Sequence, residues 1–179
     1  MSTMTTYSGR KLDPLHPAKE DIRLEDIAHA LSLLCRGGGH LNYFYSVGQH
    51  CLNCAREAQA RGCTSREALI CLLHDASEAY LSDVIRPVKE HLSNYLAIEK
   101  NIMDVILEAF HLQSLSAKED KTWKQIDDEI LEHELKAMMP GEENRSTGRL
   151  YSAPDFRKRE SRTVEKEYLE LALELLSRL

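Results

Sequence analysis

The sequence predicts an all-α protein, a single-domain helical bundle of about six main helices. Three observations carry this expectation. Apolar residues recur at helical spacing in one segment after another. Helix-start signals stand where those segments begin: Ser46 three before Gln49, Thr64 three before Glu67, and Ser116 three before Glu119. No stretch alternates apolar and polar residues in strand fashion, and no internal repeat is present. At 179 residues the chain can bury one substantial core and falls short of what two domains need. Its 42% hydrophobic and 29% charged residues are those of an ordinary globular protein.

Residues 1–20 form a polar lead-in arm with Pro14 and Pro17, and the helical domain is expected over 21–179. The first helix is predicted over Asp21 to Arg36, with Leu24, Ile27, Leu31 and Leu34 on its apolar face and acidic residues in its first turn. Gly37, Gly38 and Gly39 stop it. The second helix starts at Ser46, carries Val47, Cys51, Cys54, Ala55 and Ala58 inward, and ends at Gly62. His50 lies three after Val47 and four before Cys54, so its imidazole shares the inward face and needs a partner there. The Cys51-to-Cys54 spacing resembles half of a zinc knuckle, but no second pair accompanies it, and the thiols are expected to pack in the core.

Ala68 to Leu73 is apolar almost all round, which makes the third helix the most buried one, and it delivers the adjacent His74 and Asp75. Pro87 disfavours helix at Arg86, so the chain is expected to turn between Ser77 and Pro87. The fourth helix is predicted from about Ser93 to Phe110. The fifth follows Ser116 with Trp123, Ile126, Ile130 and Leu131 inward. Asp127, four after Trp123, borders that face, whereas Asp128 should be exposed. Residues 140–160 read as a loop or flap. The last helix, over 161–179, is apolar around more of its circumference than one contact requires, which suggests a second subunit.

His50, the pair His74 and Asp75, and Asp127 are thus inward polar positions on three helices, the way helix bundles build metal sites. Two imidazoles and two carboxylates suit one divalent ion: manganese, cobalt, iron, magnesium or zinc. Several function classes are excluded. The net charge of -6 argues against binding a nucleic-acid polymer. No apolar run reaches the roughly 20 residues that a membrane span needs. The polar N-terminus lacks the apolar centre of a signal peptide, and the odd count of five cysteines does not suggest a disulfide framework, so the expected address is the cytoplasm.

The order H…HD…D is that of the HD-domain metal-dependent phosphohydrolases, which the chain resembles over most of its length. The strings Tyr45-Ser46-Val47-Gly48-Gln49-His50, Leu72-Leu73-His74-Asp75-Ala76-Ser77-Glu78 and Lys124-Gln125-Ile126-Asp127 are similar to those of bacterial 5'-deoxynucleotidases and related phage or bacterial nucleotide phosphohydrolases. The resemblance implies an HD-type helical fold, one catalytic metal and hydrolysis of a nucleotide phosphoester. It implies that His50, His74, Asp75 and Asp127 hold the metal and that Glu78, with Asp75, serves catalysis near the attacking water. It further implies that Arg36 engages the phosphate and Asp83 the deoxyribose. A large aromatic residue follows the basic residue in the nucleotidases; here Arg36 is followed by three glycines and His40, which can bring backbone amides or an imidazole toward a phosphate.

The leading expectation is an enzyme acting on small (deoxy)nucleoside monophosphates. The alternatives are a deoxynucleoside triphosphate triphosphohydrolase, for which Lys89 and Arg86 would supply added positive charge, and a non-enzymatic nucleotide-sensing module. His91 and His111 lie between the HD pair and Asp127, where two-metal relatives keep extra ligands, but neither sits in a matching motif. They read as surface histidines. A homodimer or higher homo-oligomer is expected.

Overall fold

The first helix ends sooner than its apolar spacing predicts, and the reason shapes the site. In the computed structural model, which describes residues 3–179, α1 spans Leu24–Leu33. Leu34 and Cys35 then run extended. The Val47 amide donates to the Leu34 carbonyl at 3.0 Å and the Arg36 amide to the Tyr45 carbonyl at 2.9 Å. Pairing with residues 45–47 satisfies backbone groups that a longer helix would have used internally, and it fixes the backbone of Arg36 beside Tyr45.

The second helix, α2, spans Val47–Ala60, with the Ser46 side chain accepting from the Gln49 amide as the sequence predicts. It crosses α1 closely at Gly48, where an added Cβ would lie 3.2 Å from the backbone of Leu31 and Ser32. A complete capping box at Thr64 starts α3, Ser65–Leu73, which is buried throughout from Glu67 to Leu73. Two single turns follow, α4 over Glu78–Leu81 and α5 over Arg86–Lys89. The turn at Arg86 corrects the expectation set by Pro87. The proline sits in the first turn of α5, where its missing amide hydrogen has no intrahelical acceptor to lose.

The remaining helices are α6, Ser93–Ala109, α7, Ala117–Met138, and α8, Ser161–Leu176. Among the described residues, six helices of nine residues or more form one all-α domain. Its core joins Leu31, Leu52, Leu72, Ile106, Ile126 and Tyr168, all fully buried. Only Ile102 and Ile106 of α6 are fully buried, so that helix lies at the edge of the bundle. No described helix is long and apolar enough to cross a membrane.

Two segments that read as irregular are pinned. Within the lead-in arm, Met4–Thr5 pairs antiparallel with Lys11–Leu12, a two-stranded ribbon too short to leave an alternating signal. The buried Asp26 accepts from the Ser8 amide at 2.6 Å and its hydroxyl at 2.9 Å, which anchors the arm on α1. The segment 140–160 is a strap laid across α2. Gln49 donates to the carbonyls of Asp155 and Arg157, Asn53 donates to Asp155, and Glu57 accepts from the amides of Tyr151 and Ser152. These three side chains recur every four residues along α2, forming a polar stripe beside the apolar one.

In α8, Val164, Tyr168, Ala172 and Leu175 are buried, and Leu169, Leu171 and Leu176 pack partly against the same core. The broad apolar stripe is largely taken up inside the domain, against α1, α2 and α3. Leu173 and Leu179 face solvent.

Candidate metal centre

Three mutually packed helices bring the ligand candidates together. His50 projects from the first turn of α2, His74 caps the C-terminal end of α3 with Asp75 next to it, and Asp127 comes from the middle of α7, next to the buried Ile126. His50 Nε2 lies 3.2 Å from His74 Nε2, 3.1 Å from Asp127 Oδ1 and 3.8 Å from Asp75 Oδ2. His74 Nε2 lies 3.2 Å from Asp75 Oδ2 and 3.7 Å from Asp127 Oδ1. The residues singled out from the sequence as ligands therefore converge on one point.

The outer nitrogen of each ring is already committed. His50 Nδ1 lies 2.7 Å from Glu134 Oε1, and His74 Nδ1 lies 2.8 Å from the Cys71 carbonyl. A carbonyl can only accept, so His74 carries its hydrogen on Nδ1; a carboxylate partner selects the same tautomer in His50. Both Nε2 lone pairs then point at each other and at two carboxylates. Asp127 Oδ1, though 3.1 Å from His50 Nε2, is buried without a hydrogen-bond partner. Nitrogen and oxygen donors about 2.0–2.2 Å from one cation stand roughly 3.0–3.4 Å apart when adjacent, which is the spacing of the closest pairs here. The donor set fits a divalent ion.

Electrostatics agrees with the geometry. Burial by itself raises a carboxylic acid's pKa, yet His74 and Arg36 hold Asp75 well below the usual carboxylate range, and His50 and His74 do the same for Asp127. Glu134, against the same burial penalty, is lowered by His50 and Arg36. Burial alone would lower both imidazoles; Asp75 and Asp127 outweigh it at His74, and Glu134 and Asp127 at His50, so both are raised. With both imidazoles neutral, as a bound ion requires, three ionised carboxylates against one guanidinium leave two negative charges, the complement of a divalent cation.

Arg36 packs against the cluster and pairs with three carboxylates. Its Nη1 lies 3.2 Å from Asp75 Oδ2, its Nη2 3.5 Å from Asp127 Oδ1, and its Nε donates to Glu134 Oε2 at 3.0 Å. Glu134 is the residue that sequence reading missed. It occupies the buried stripe Ile126, Ile130, Glu134, Met138 of α7, two turns beyond Asp127, and accepts from Tyr45 at 2.8 Å in addition to His50 and Arg36. A glutamate on an otherwise apolar stripe was the available signal.

Glu78 is buried, with Oε2 unpartnered, and burial together with Asp75 and Asp83 pushes its pKa up to about 9. In the metal-free protein this favours the neutral carboxylic acid at neutral pH. Lys89 Nζ stands 4.0 Å from Glu78 Oε1 and pairs more closely with Glu99. Asp83 Oδ2 accepts from the Gly37 amide at 2.9 Å, so this carboxylate holds the glycine turn in place. Gly37, Gly38 and Gly39 all have positive φ, which explains why no side chain is carried there. His40 lies exposed beyond that turn. His91 and His111 are also exposed and outside the cluster.

Cys51 and Cys54 are buried, as expected of core thiols, and they also back onto the site. Donor atoms of His50, Cys54, His74 and Asp127 lie within 4.8 Å of one another, as do those of Cys51, His74 and Asp75. Burial pushes both thiols well up, leaving them protonated.

No family model matches the chain. It is 39% identical over 112 residues to the uncharacterized protein YfdR of Escherichia coli, an alignment covering 63% of this chain and 60% of that one. It is 41% identical over 112 residues to an uncharacterized protein of Rhodobacter capsulatus, covering 59% and 55% respectively. The chain thus matches less than two thirds of the length of these relatives.

Proposed function

We propose that this protein is a metal-dependent phosphohydrolase of the HD-domain type that removes the 5'-phosphate of (deoxy)nucleoside monophosphates. The observation that carries the reading is the convergence of His50, His74, Asp75 and Asp127 on one point with Arg36 against it and the buried Glu78 three residues from Asp75. A divalent cation held by those four residues supplies Lewis acidity toward a phosphoryl oxygen and the attacking water. Arg36 presents a planar donor fork suited to the spectator oxygens of a phosphate. Glu78, when protonated, can give its proton to the departing ribose oxygen, which would otherwise leave as a poor alkoxide.

The preference for a monophosphate rests on the resemblance; Lys89, paired with Glu99, and Arg86, paired with Asp128 and Asp127, are the added basic groups that a triphosphate would draw on. The free thiols, five in all, suit a reducing compartment such as the cytoplasm. A homo-oligomer remains part of the proposal, with Leu173 and Leu179 as exposed apolar contributors on or beyond α8.

The test is a panel of mono- and triphosphates, ribo and deoxy, run with manganese, cobalt and magnesium and scored for phosphate against tripolyphosphate. Release of phosphate from monophosphates is expected. Tripolyphosphate as product would replace the reading with the triphosphohydrolase one, and nucleotide binding without turnover would replace it with a sensing module.

A further inference from the structure

His50 and Cys54 stand four residues apart on α2, which stacks their side chains on one face of the helix. The Cys54 sulfur lies 3.5 Å from His50 Nε2 and 4.0 Å from Nδ1, so it sits nearer the nitrogen that faces the cluster. Its donor atom is within 4.8 Å of those of His50, His74 and Asp127. The side chain is buried, and the His50 ring is the polar group it touches. Cys51, next to His50, is rotated about the helix and groups instead with His74 and Asp75.

We propose that Cys54 is a sulfur donor to the metal held by His50, His74 and Asp127, making this a mixed nitrogen, oxygen and sulfur site selective for zinc, cobalt or iron over magnesium. The inference rests on the metal-binding reading above and narrows it. Imidazole and carboxylate alone accommodate hard and borderline ions alike, whereas one thiolate discriminates against the hard ones. On binding, the Cys54 S–H bond breaks, a sulfur–metal bond forms, and the proton leaves to solvent. Asp75, also paired with Arg36 at 3.2 Å, completes the oxygen side.

Titration of the reduced, metal-free full chain with cobalt(II) tests this without reference to turnover. One equivalent should give visible ligand-field bands together with a near-ultraviolet sulfur-to-cobalt charge-transfer band. Cys54→Ser should keep the visible bands, lose the charge-transfer band and bind cobalt at least about tenfold more weakly, while Cys51→Ser keeps both. Cadmium NMR of the unmutated chain gives a second measurement if Cys54→Ser folds poorly, since a sulfur ligand moves the resonance far from the nitrogen and oxygen range. Cobalt bound with visible bands but no charge-transfer band, a band that survives in Cys54→Ser, or a cadmium resonance in the nitrogen and oxygen range would each overturn the sulfur assignment and leave the metal site standing. A chain that binds no cobalt would overturn both.

Discussion

Glu134→Gln is the perturbation that weighs most on how the site is held. The buried carboxylate accepts from His50 at 2.7 Å and Tyr45 at 2.8 Å through one oxygen, and from Arg36 at 3.0 Å through the other. An amide of the same shape can satisfy His50 and Tyr45 only by turning its NH2 group toward the Arg36 donor. It also leaves the guanidinium with one fewer negative neighbour in a buried setting. Removing one partner of such a pair costs about 3–5 kcal/mol. For a chain of this size that corresponds to a melting temperature lower by roughly 6–20 °C. The effect on the metal is separable: a lost carboxylate behind a histidine ligand lowers metal affinity about 10- to 100-fold. Urea unfolding at unchanged slope and calorimetric titration with cobalt measure the two quantities. A stability loss below about 1 kcal/mol together with unaltered cobalt affinity would refute the reasoning that Glu134 both neutralises Arg36 and fixes the His50 tautomer.

Four further outcomes are expected. Glu78→Gln should retain metal affinity and lose turnover by about a hundredfold or more in the substrate panel; full activity would remove Glu78 from the proposed chemistry. Cobalt affinity should rise as pH climbs through and above the ordinary imidazole value of 6.5, because protons compete for imidazoles that their acidic neighbours hold above it, and a flat profile would contradict the ligand assignment. Glu57→Gln should release the strap, seen as faster amide exchange at Tyr151 and Ser152, and cost about 2–3 kcal/mol at neutral pH. Glu57 is held below its ordinary value by hydrogen bonds from Ser152 and Tyr151 despite burial, so its contribution is present above the unfolded value of 4.5 and is lost as pH falls through the folded one. The difference between the two proteins should therefore shrink in acid. Gly48→Ala should cost about 1–3 kcal/mol in thermal unfolding, since the new methyl group meets the Leu31 and Ser32 backbone at 3.2 Å.

Local chemistry made much of this protein readable. The capping boxes at Thr64 and Ser116 appear in the structure where their spacing placed them, because they are satisfied within one helical turn and need nothing from the rest of the chain. His50 could be assigned to an inward face because helical periodicity links it to Val47 and Cys54. The early end of α1 was not readable, since it depends on pairing between residues 34–36 and 45–47 across the glycine turn. The tight packing of 140–160 was equally hidden: Gln49, Asn53 and Glu57 are ordinary polar residues until the strap arrives from about a hundred positions away.

What the sequence by itself determined, then, is the all-α class, most helix starts and the inward direction of His50, His74, Asp75 and Asp127, all consequences of short-range periodicity and capping. Only the tertiary structure decided that the two imidazoles lie 3.1–3.8 Å from each other and from both carboxylates, that Glu134 stands behind His50 and Arg36, that Asp83 is tied to Gly37, and that the Cys54 sulfur borders the site. The physical reason is that ligand geometry and buried charge depend on how helices distant in sequence cross, and helix period fixes which face a residue takes without fixing what that face will meet.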